Sequence, residues 1–138
     1  MTVLVTGAFG LVGSATVKQL ATDRHRVVAT DLDVPANRKK AEKLPSGVFV
    51  RYADLTDPAA VDDLLTNVAP TVIIHLAAVI PPVCYLRPGV ARKVNVDATA
   101  NLLRAAEKQK SPPRFLQASS IATYGARNPP TITEVLPS

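Results

Sequence analysis

The chain of 138 residues contains a single cysteine, Cys84. One cysteine excludes an internal disulfide framework and is typical of proteins that stay in a reducing compartment. We therefore expect a cytoplasmic protein in which Cys84 packs as a small buried hydrophobic side chain, since nothing near it in the sequence makes it a nucleophile. No metal site is predicted.

Aromatic residues are also scarce, at 4%, and the excess of positive charge is not concentrated. The net charge is +5, but apart from residues 38–40 the lysines and arginines are scattered along the chain. A nucleic-acid-binding surface needs clustered cations and aromatic rings on which bases stack. The sequence therefore predicts no nucleic-acid partner, and most of the cations are expected on solvated helix faces.

Long hydrophobic runs are missing as well. No apolar stretch approaches the roughly 18 residues that span a bilayer, and no cationic start with an apolar segment precedes the first predicted strand. We expect a soluble, unexported protein with no membrane partner. A hydrophobic content of 47% with 20% charged residues is ordinary for a globular domain of this size.

The most informative segment that is present is a glycine-rich turn near the amino terminus. An apolar run from Val3 stops at Gly7, Gly10 and Gly13 follow at three-residue intervals, and helical spacing continues through Leu20. This order predicts a strand, a tight turn and a helix whose first backbone N–H groups and positive dipole end face one spot. An anion fits there, and a dinucleotide pyrophosphate is the usual one.

A carboxylate at the end of the next predicted strand strengthens this interpretation. Residues 25–31 read as a second strand that ends in Asp31. In a βαβ unit, a carboxylate at this tip accepts hydrogen bonds from both ribose hydroxyls of the adenosine and repels a 2′-phosphate. Asp31 therefore predicts NAD as the cofactor, preferred over NADP. The alternative is that Asp31 and Asp33 only make a turn soluble.

Predicted strands and helices alternate along the rest of the chain. The strands cover residues 1–6, 25–31, 48–53, 71–76 and 114–118. The helices cover residues 11–22, 36–43, 58–65 and 86–110, the last with an apolar stripe formed by Val90, Val94, Ala98, Leu102 and Ala105. Asp57 is predicted to be the N-cap of the third helix, with Pro58 at its first position. Alternation of this kind predicts an α/β fold, a doubly wound, Rossmann-like parallel sheet of about five strands. We place this domain at residues 1–127 and expect an irregular tail over residues 128–138.

Five short motifs follow one another in a familiar order. They are TGAFGLVG at 6–13, ADLTD at 53–57, HLAA at 75–78, NVDATANLL at 95–103 and SSIATYG at 119–125. In order and approximate spacing they resemble the extended short-chain dehydrogenase/reductase family, the NAD-dependent epimerases and dehydratases. The glycine motif and the serine motif are the more specific ones.

The resemblance implies a role for each motif at a dinucleotide site. Backbone N–H groups near Leu11 and Val12 would hold the pyrophosphate. Asp54 would accept a hydrogen bond from the adenine amino group, and Leu55 would pack on the adenine ring. Small side chains after the fourth strand would let the nicotinamide ribose approach the backbone. The implied cofactor-binding residues are Gly7, Gly10, Leu11, Val12, Gly13, Asp31, Asp54, Leu55, Leu76, Ala77, Ala78 and Asn95.

The resemblance also implies that Ser120 is the active-site serine, whose hydroxyl donates to the substrate oxygen. Other roles remain open for several of these residues. Residues 54–57 could be only a strand exit and helix cap, and Asn95 could simply bond a neighbouring loop. His75 is expected to be a satisfied core residue rather than a base. Tyr124 has a structural and lining role in similar proteins.

The family's catalytic pair is absent from the sequence. That pair is a tyrosine followed four residues later by a lysine, because a free phenol with a pKa near 10 needs a neighbouring ammonium to act at neutral pH. None of Tyr52, Tyr85 and Tyr124 has a lysine at that spacing. The chain thus supplies a cofactor cradle and one serine, but no base.

Three interpretations follow. In the first, the chain is the amino-terminal part of an NAD-dependent epimerase, dehydratase or hydroxysteroid-type oxidoreductase, truncated before the later strands and the substrate-binding portion. In the second, it is a non-catalytic NAD-binding sensor or assembly module, and in the third a partner chain donates the missing pair. The small-molecule substrate is unknown, although residues 80–82 (IPP) slightly favour a less polar substrate. An uncovered fifth strand predicts an exposed apolar edge and a homo-oligomer.

Overall fold

The structure, a computed structural model, describes residues 1–124 and contains one five-stranded sheet. All of its strands are parallel, and they lie in the order β3-β2-β1-β4-β5. The strands are β1 (Thr2–Thr6), β2 (Arg26–Asp31), β3 (Phe49–Tyr52), β4 (Val72–His75) and β5 (Arg114–Gln117). The predicted doubly wound α/β sheet, Rossmann-like in its order, is confirmed.

Helices connect the successive strands, because parallel strands need a crossover connection. They are α1 (Leu11–Thr22), α2 (Pro35–Ala41), α3 (Pro58–Val68), α4 (Val83–Leu86), α5 (Pro88–Arg92) and α6 (Ala98–Glu107). A π-helical segment, Lys93–Asp97, joins α5 to α6 without a break, and a 3₁₀ turn, Ile121–Tyr124, follows β5. Within residues 1–124 no helix combines the length and the apolar character needed to cross a membrane.

Apolar side chains cover both faces of the sheet, as a doubly wound sheet requires. On one face, Leu4 and Ile73 pack in a cluster with side chains from α3 and α6, such as Leu65 and Leu102. On the other face, Val5 joins a cluster that includes Val17 of α1. Successive residues of β1 therefore point into different cores. The most buried part of the sheet is its centre, where β1 lies between β2 and β4.

The predicted helix over residues 86–110 is wrong in its start and in its face. Arg87, at φ −136° and ψ 65°, interrupts the helix between α4 and α5. It precedes Pro88, and the residue before a proline is disfavoured in the helical region. The π segment then adds one residue to a turn, which rotates the apolar stripe by about 100°. Consequently Ala98 and Leu102 are buried while Val90, on the same predicted stripe, is exposed.

The other boundaries agree with the prediction or differ from it by at most three residues. Helix α3 continues to Val68 and ends at Ala69, whose φ of 44° is left-handed. Asp57 caps this helix, as predicted, by accepting a hydrogen bond from the N–H of Ala59 at 2.9 Å. Helix α2 begins at Pro35, one residue earlier than predicted. The predicted tail over residues 128–138 and the last residues of the 1–127 domain lie outside the described residues.

Candidate dinucleotide-binding site

Two neighbouring cavities lie at the carboxyl ends of the strands. The sheet order reverses between β1 and β4, and in open parallel sheets ligands bind at such a point. The smaller cavity, about 280 Å³, is lined by Gly7, Gly10, Asp31 and Asp54 among others. The larger, about 600 Å³, is lined by Ser120 and Asn95 among others. Residues 76–79 line both cavities, and we call them the shared wall.

The glycine turn has the geometry of an anion cradle. Gly7 has a left-handed φ of 63° and lies against the backbone of Ala77, where a Cβ would come within 2.7 Å of the nitrogen. Gly10 is the N-cap of α1 and provides no side-chain hydrogen bond to the helix. The first N–H groups of α1 therefore have no intrahelical partner. Leu11 is 91% exposed, so the start of α1 stands open to a ligand.

Asp31 is held against this turn. Its Oδ2 accepts a hydrogen bond from the N–H of Phe9 at 3.2 Å, and its Oδ1 accepts one from the N–H of Leu32 at 2.9 Å. Lys40 of α2 donates to the carbonyl oxygen of Phe9 at 2.8 Å. Both polar groups of Phe9 are thus tied to charged side chains. Since a carboxylate has about four acceptor positions, Asp31 retains capacity for hydroxyl donors from a ligand.

Asp54 and Leu55 lie at the exit of β3 and line the smaller cavity. Asp54 Oδ1 accepts hydrogen bonds from the N–H and the hydroxyl of Thr56, at 2.9 and 2.7 Å. Asp57, rather than Asp54, caps α3. Leu55 is nearly buried, and its carbonyl oxygen accepts a hydrogen bond from Asn101 at 3.1 Å. The proposed contacts of Asp54 and Leu55 with adenine stay predictions.

Asn95 lies in the π segment and anchors the shared wall. Its Oδ1 accepts from the N–H of Val79 at 2.8 Å, and its Nδ2 donates to the Val79 carbonyl oxygen at 3.0 Å. This is the loop contact that the sequence left open as an alternative. The side-chain amide of Asn95 thus pairs with both backbone polar groups of Val79, as a neighbouring strand would. Its contact with a cofactor stays a prediction.

Ser120 opens the 3₁₀ turn and lines the larger cavity. Its Oγ accepts a hydrogen bond from the N–H of Ala122 at 3.2 Å. Cys84 and Tyr85 line the same cavity. Cys84 is only partly buried, so the expectation that it packs as a buried hydrophobic side chain is wrong. The short helix α4 places it on the cavity wall instead of in a core.

His75 is buried, and both of its ring nitrogens are hydrogen-bonded, as expected for a satisfied core histidine. Burial lowers the pKa of His75 from its ordinary value of 6.5, because the charged ring loses its hydration. Its partners, Thr6 and Thr99, were not predicted as functional residues. Thr99 could have been found by its position one helical turn after Asn95. Lys40 gives no such signal, since it lies on a helix far along the chain from Phe9.

The fold and the site define a Rossmann-type domain of the NAD-binding kind. A family model described as "NAD dependent epimerase/dehydratase family" matches residues 3–138, and the chain belongs to that family. An uncharacterized epimerase/dehydratase from Staphylococcus saprophyticus is 30% identical over 129 residues, which cover 92% of this chain and 38% of that protein. The predicted family resemblance is confirmed.

Solved structures of similar proteins agree with this assignment. The UDP-glucose 4-epimerase of Thermus thermophilus, in complex with NAD, is 32% identical with a TM-score of 0.71, over 78% of this chain and 34% of that one. The L-threonine dehydrogenase of Clostridium difficile is 26% identical with a TM-score of 0.81, over 98% of this chain and 42% of that one. The chain therefore spans about two fifths of the length of the relatives it matches.

Proposed function

We propose that the chain binds NAD along the two cavities, with its adenosine half on the Asp31 side and its nicotinamide half toward Ser120. The observation that carries this proposal is the open start of α1 beside Asp31. The residues suit the cofactor because the turn is bare: Gly10 presents no side chain at the mouth of the smaller cavity. The Thermus thermophilus epimerase that the chain resembles was solved with NAD.

The preference for NAD over NADP rests on the charge of Asp31. A carboxylate accepts hydrogen bonds from ribose hydroxyls and repels a 2′-phosphate at the same place. The nearby Arg38 does not offset this repulsion, because its guanidinium is paired with Asp33 at 2.6 Å. That ion pair is also why the pKa of Asp33 is lowered and that of Arg38 is raised.

Isothermal titration should show NAD binding at least about tenfold more tightly than NADP. Asp31→Asn keeps the size of the side chain but removes the charge, so it should weaken NAD binding and narrow the gap. Asp23→Asn makes the same charge change at the far end of α1 and should leave both affinities as they are. Equal affinities of the unmodified chain for NAD and NADP would refute the role of Asp31.

For the intact polypeptide we propose an epimerase/dehydratase-type oxidoreductase acting on a small molecule. Bound NAD would supply a hydride acceptor. Ser120 would donate its hydroxyl hydrogen to the substrate oxygen in the larger cavity, and the base would come from residues beyond these 138. The alternative is a non-catalytic NAD-binding module, and it would be favoured if the intact polypeptide also had no tyrosine–lysine pair at the required spacing. Oxidoreductase activity of this chain, against a version extended past Ser138, separates the two.

We also propose that the chain associates with a second copy through β5. Among the described residues β5 pairs only with β4, and Leu116 on it is 45% exposed. Light scattering should therefore show a dimer or larger species, and Leu116→Lys should shift it toward monomer because edge lysines oppose strand pairing. Leu103→Lys, at a leucine of similar exposure on α6, is the matched control. A clean monomer at moderate concentration would contradict this.

A further inference from the structure

The side chains of Thr6, His75 and Thr99 form a continuous chain of buried hydrogen bonds. Thr6 Oγ1 lies 2.6 Å from His75 Nδ1, and His75 Nε2 lies 2.9 Å from Thr99 Oγ1. The Thr99 hydroxyl lies 3.1 Å from the carbonyl oxygen of Asn95. All three side chains are less than a tenth exposed. We call this set the relay; it joins β1 and β4 to α6 at the carboxyl end of the sheet.

The hydrogen bonds of the relay all run in one direction, from Thr6 to the carbonyl oxygen of Asn95. Thr6 Oγ1 accepts hydrogen bonds from the N–H groups of Leu76 and Ala77, at 3.2 and 3.3 Å. These use both of its lone pairs, so the Thr6 hydroxyl hydrogen must go to His75 Nδ1. His75 is then the neutral tautomer with its hydrogen on Nε2, which donates to Thr99. The Thr99 hydroxyl passes the pattern on by donating to the carbonyl oxygen of Asn95.

Both ends of the shared wall are attached to this relay. Leu76 and Ala77 begin the wall and donate to Thr6. Val79 ends the wall and is held by the amide of Asn95, whose carbonyl oxygen accepts from Thr99. We propose that Thr6, His75 and Thr99 are positioning residues that fix the shared wall for the dinucleotide. This inference rests on the proposed binding of NAD along the two cavities.

The relay works only with a neutral His75. A second ring hydrogen, on Nδ1, would point at the Thr6 hydroxyl, which already donates its own hydrogen to that nitrogen and has no free lone pair to accept one. The ring also contacts Phe115 of β5, so the groups that face it from β1, α6 and β5 do not titrate. His75 also lines the larger cavity, where the other ionisable side chains are Cys84 and Tyr85.

The sign of the pH effect follows from the lowered pKa of His75. The unfolded chain takes up the proton first, near pH 6.5, because its histidine has the ordinary pKa. The contribution of neutral His75 to the free energy of unfolding is therefore fully present above pH 6.5. It is lost as the pH falls from there toward the pKa of the folded state. Affinity for NAD should fall only as the pH approaches the lowered pKa of the folded state, because protonation of His75 in the folded chain is what disturbs the relay.

The first test compares Thr99→Val, which removes the hydroxyl and keeps the shape, with Thr99→Ser, which keeps the hydroxyl. Amide hydrogen exchange of the 138-residue chain without ligand should become about tenfold faster at Val79 in the valine variant, because the anchor of Asn95 is loosened. Exchange in the centre of β1, at Val5, should change far less. NAD affinity should fall about fivefold. Serine should restore both values.

The second test concerns the tautomer. Nitrogen chemical shifts of the His75 ring at pH 7 should show hydrogen on Nε2 and none on Nδ1. His75→Asn keeps an acceptor toward Thr6, and it should abolish the pH dependence of NAD affinity below pH 6.5. A hydrogen on Nδ1 would overturn the relay.

The outcomes separate the two proposals. If the exchange and tautomer results hold but the chain binds no NAD, the relay stands and the proposed function is wrong. If NAD binds but Thr99→Val changes neither Val79 exchange nor affinity, the relay is wrong. Equal acceleration of exchange at Val5 and Val79 would reduce the role of Thr99 to general stability, and that also overturns the proposal.

Discussion

Gly13→Ala should strongly destabilise the fold, whereas Gly10→Ala should fold normally but bind NAD more weakly. A Cβ on Gly13 would overlap the carbonyl oxygen of Gly7 and lie 2.9 Å from the Cα of Ala8. Both are backbone atoms, so no change of rotamer relieves the overlap. The expected loss of unfolding free energy is about 3 kcal/mol or more, a large share of the roughly 5–15 kcal/mol of a typical domain.

The contrast with Gly10 makes this prediction specific. A Cβ there would meet only the Gly7 carbonyl oxygen, at 3.2 Å, and its φ of −72° suits any residue. We expect a loss of under about 1 kcal/mol in stability but at least about tenfold in NAD affinity, because the methyl group would stand where the pyrophosphate approaches. Thermal unfolding and titration calorimetry measure the two quantities separately.

Gly89→Ala is the control for both glycine variants. Gly89 lies in α5 with no atom within 4 Å of a Cβ. Alanine should stabilise the helix by up to about 1 kcal/mol and leave NAD binding unchanged. If Gly13→Ala unfolds at the temperature of the unmodified chain, α1 does not pack on the turn as described. If Gly10→Ala binds NAD normally, the cradle is not where the pyrophosphate lies.

Thr6→Val should strongly destabilise the protein, and Thr30→Val should not. The two threonines are paired in register on β1 and β2, and both are fully buried. The Thr6 hydroxyl is the partner of His75 Nδ1 and of the Ala77 N–H, and valine removes both contacts, whereas the Leu76 N–H keeps the backbone carbonyl oxygen of residue 6 at 3.3 Å. The expected loss is about 2–4 kcal/mol in the free energy of unfolding.

Thr30 is the matched case because its Oγ1 has no hydrogen-bond partner among the described residues. Valine has the same shape, removes a hydroxyl that is desolvated without compensation, and suits a strand. Stability should stay the same or rise by about 1 kcal/mol. Urea unfolding of the two variants side by side measures the difference. Equal losses would mean that the Thr6 contacts contribute little.

The fold was predictable where one local pattern decides the outcome. The apolar run into Gly7 and the helical spacing after Gly10 give β1 and α1 at nearly their observed bounds. The prediction of one helix over residues 86–110 was wrong because an apolar pattern does not reveal an extra residue in a helical turn. That π segment depends on packing of the finished helix, where Asn95 reaches Val79.

The candidate site divides in the same way. Sequence spacing places Asp31 at the end of β2 and Ser120 after β5, and both line the cavities in the structure. The relay could not be predicted, since Thr6, His75 and Thr99 come from three elements that meet only after the sheet has formed. Lys40 is similar, because its contact with Phe9 depends on how α2 lies against the turn.

The shared wall limits how the ligand preferences of this domain can change. Residues 76–79 border both cavities, so a bulky replacement there would narrow both compartments at once. Side chains that border only the larger cavity, such as Tyr85 and Ala122, are free of this constraint. Under the proposed function, replacements at those positions would change the substrate side and leave the smaller cavity intact, which makes them the natural sites for redesign.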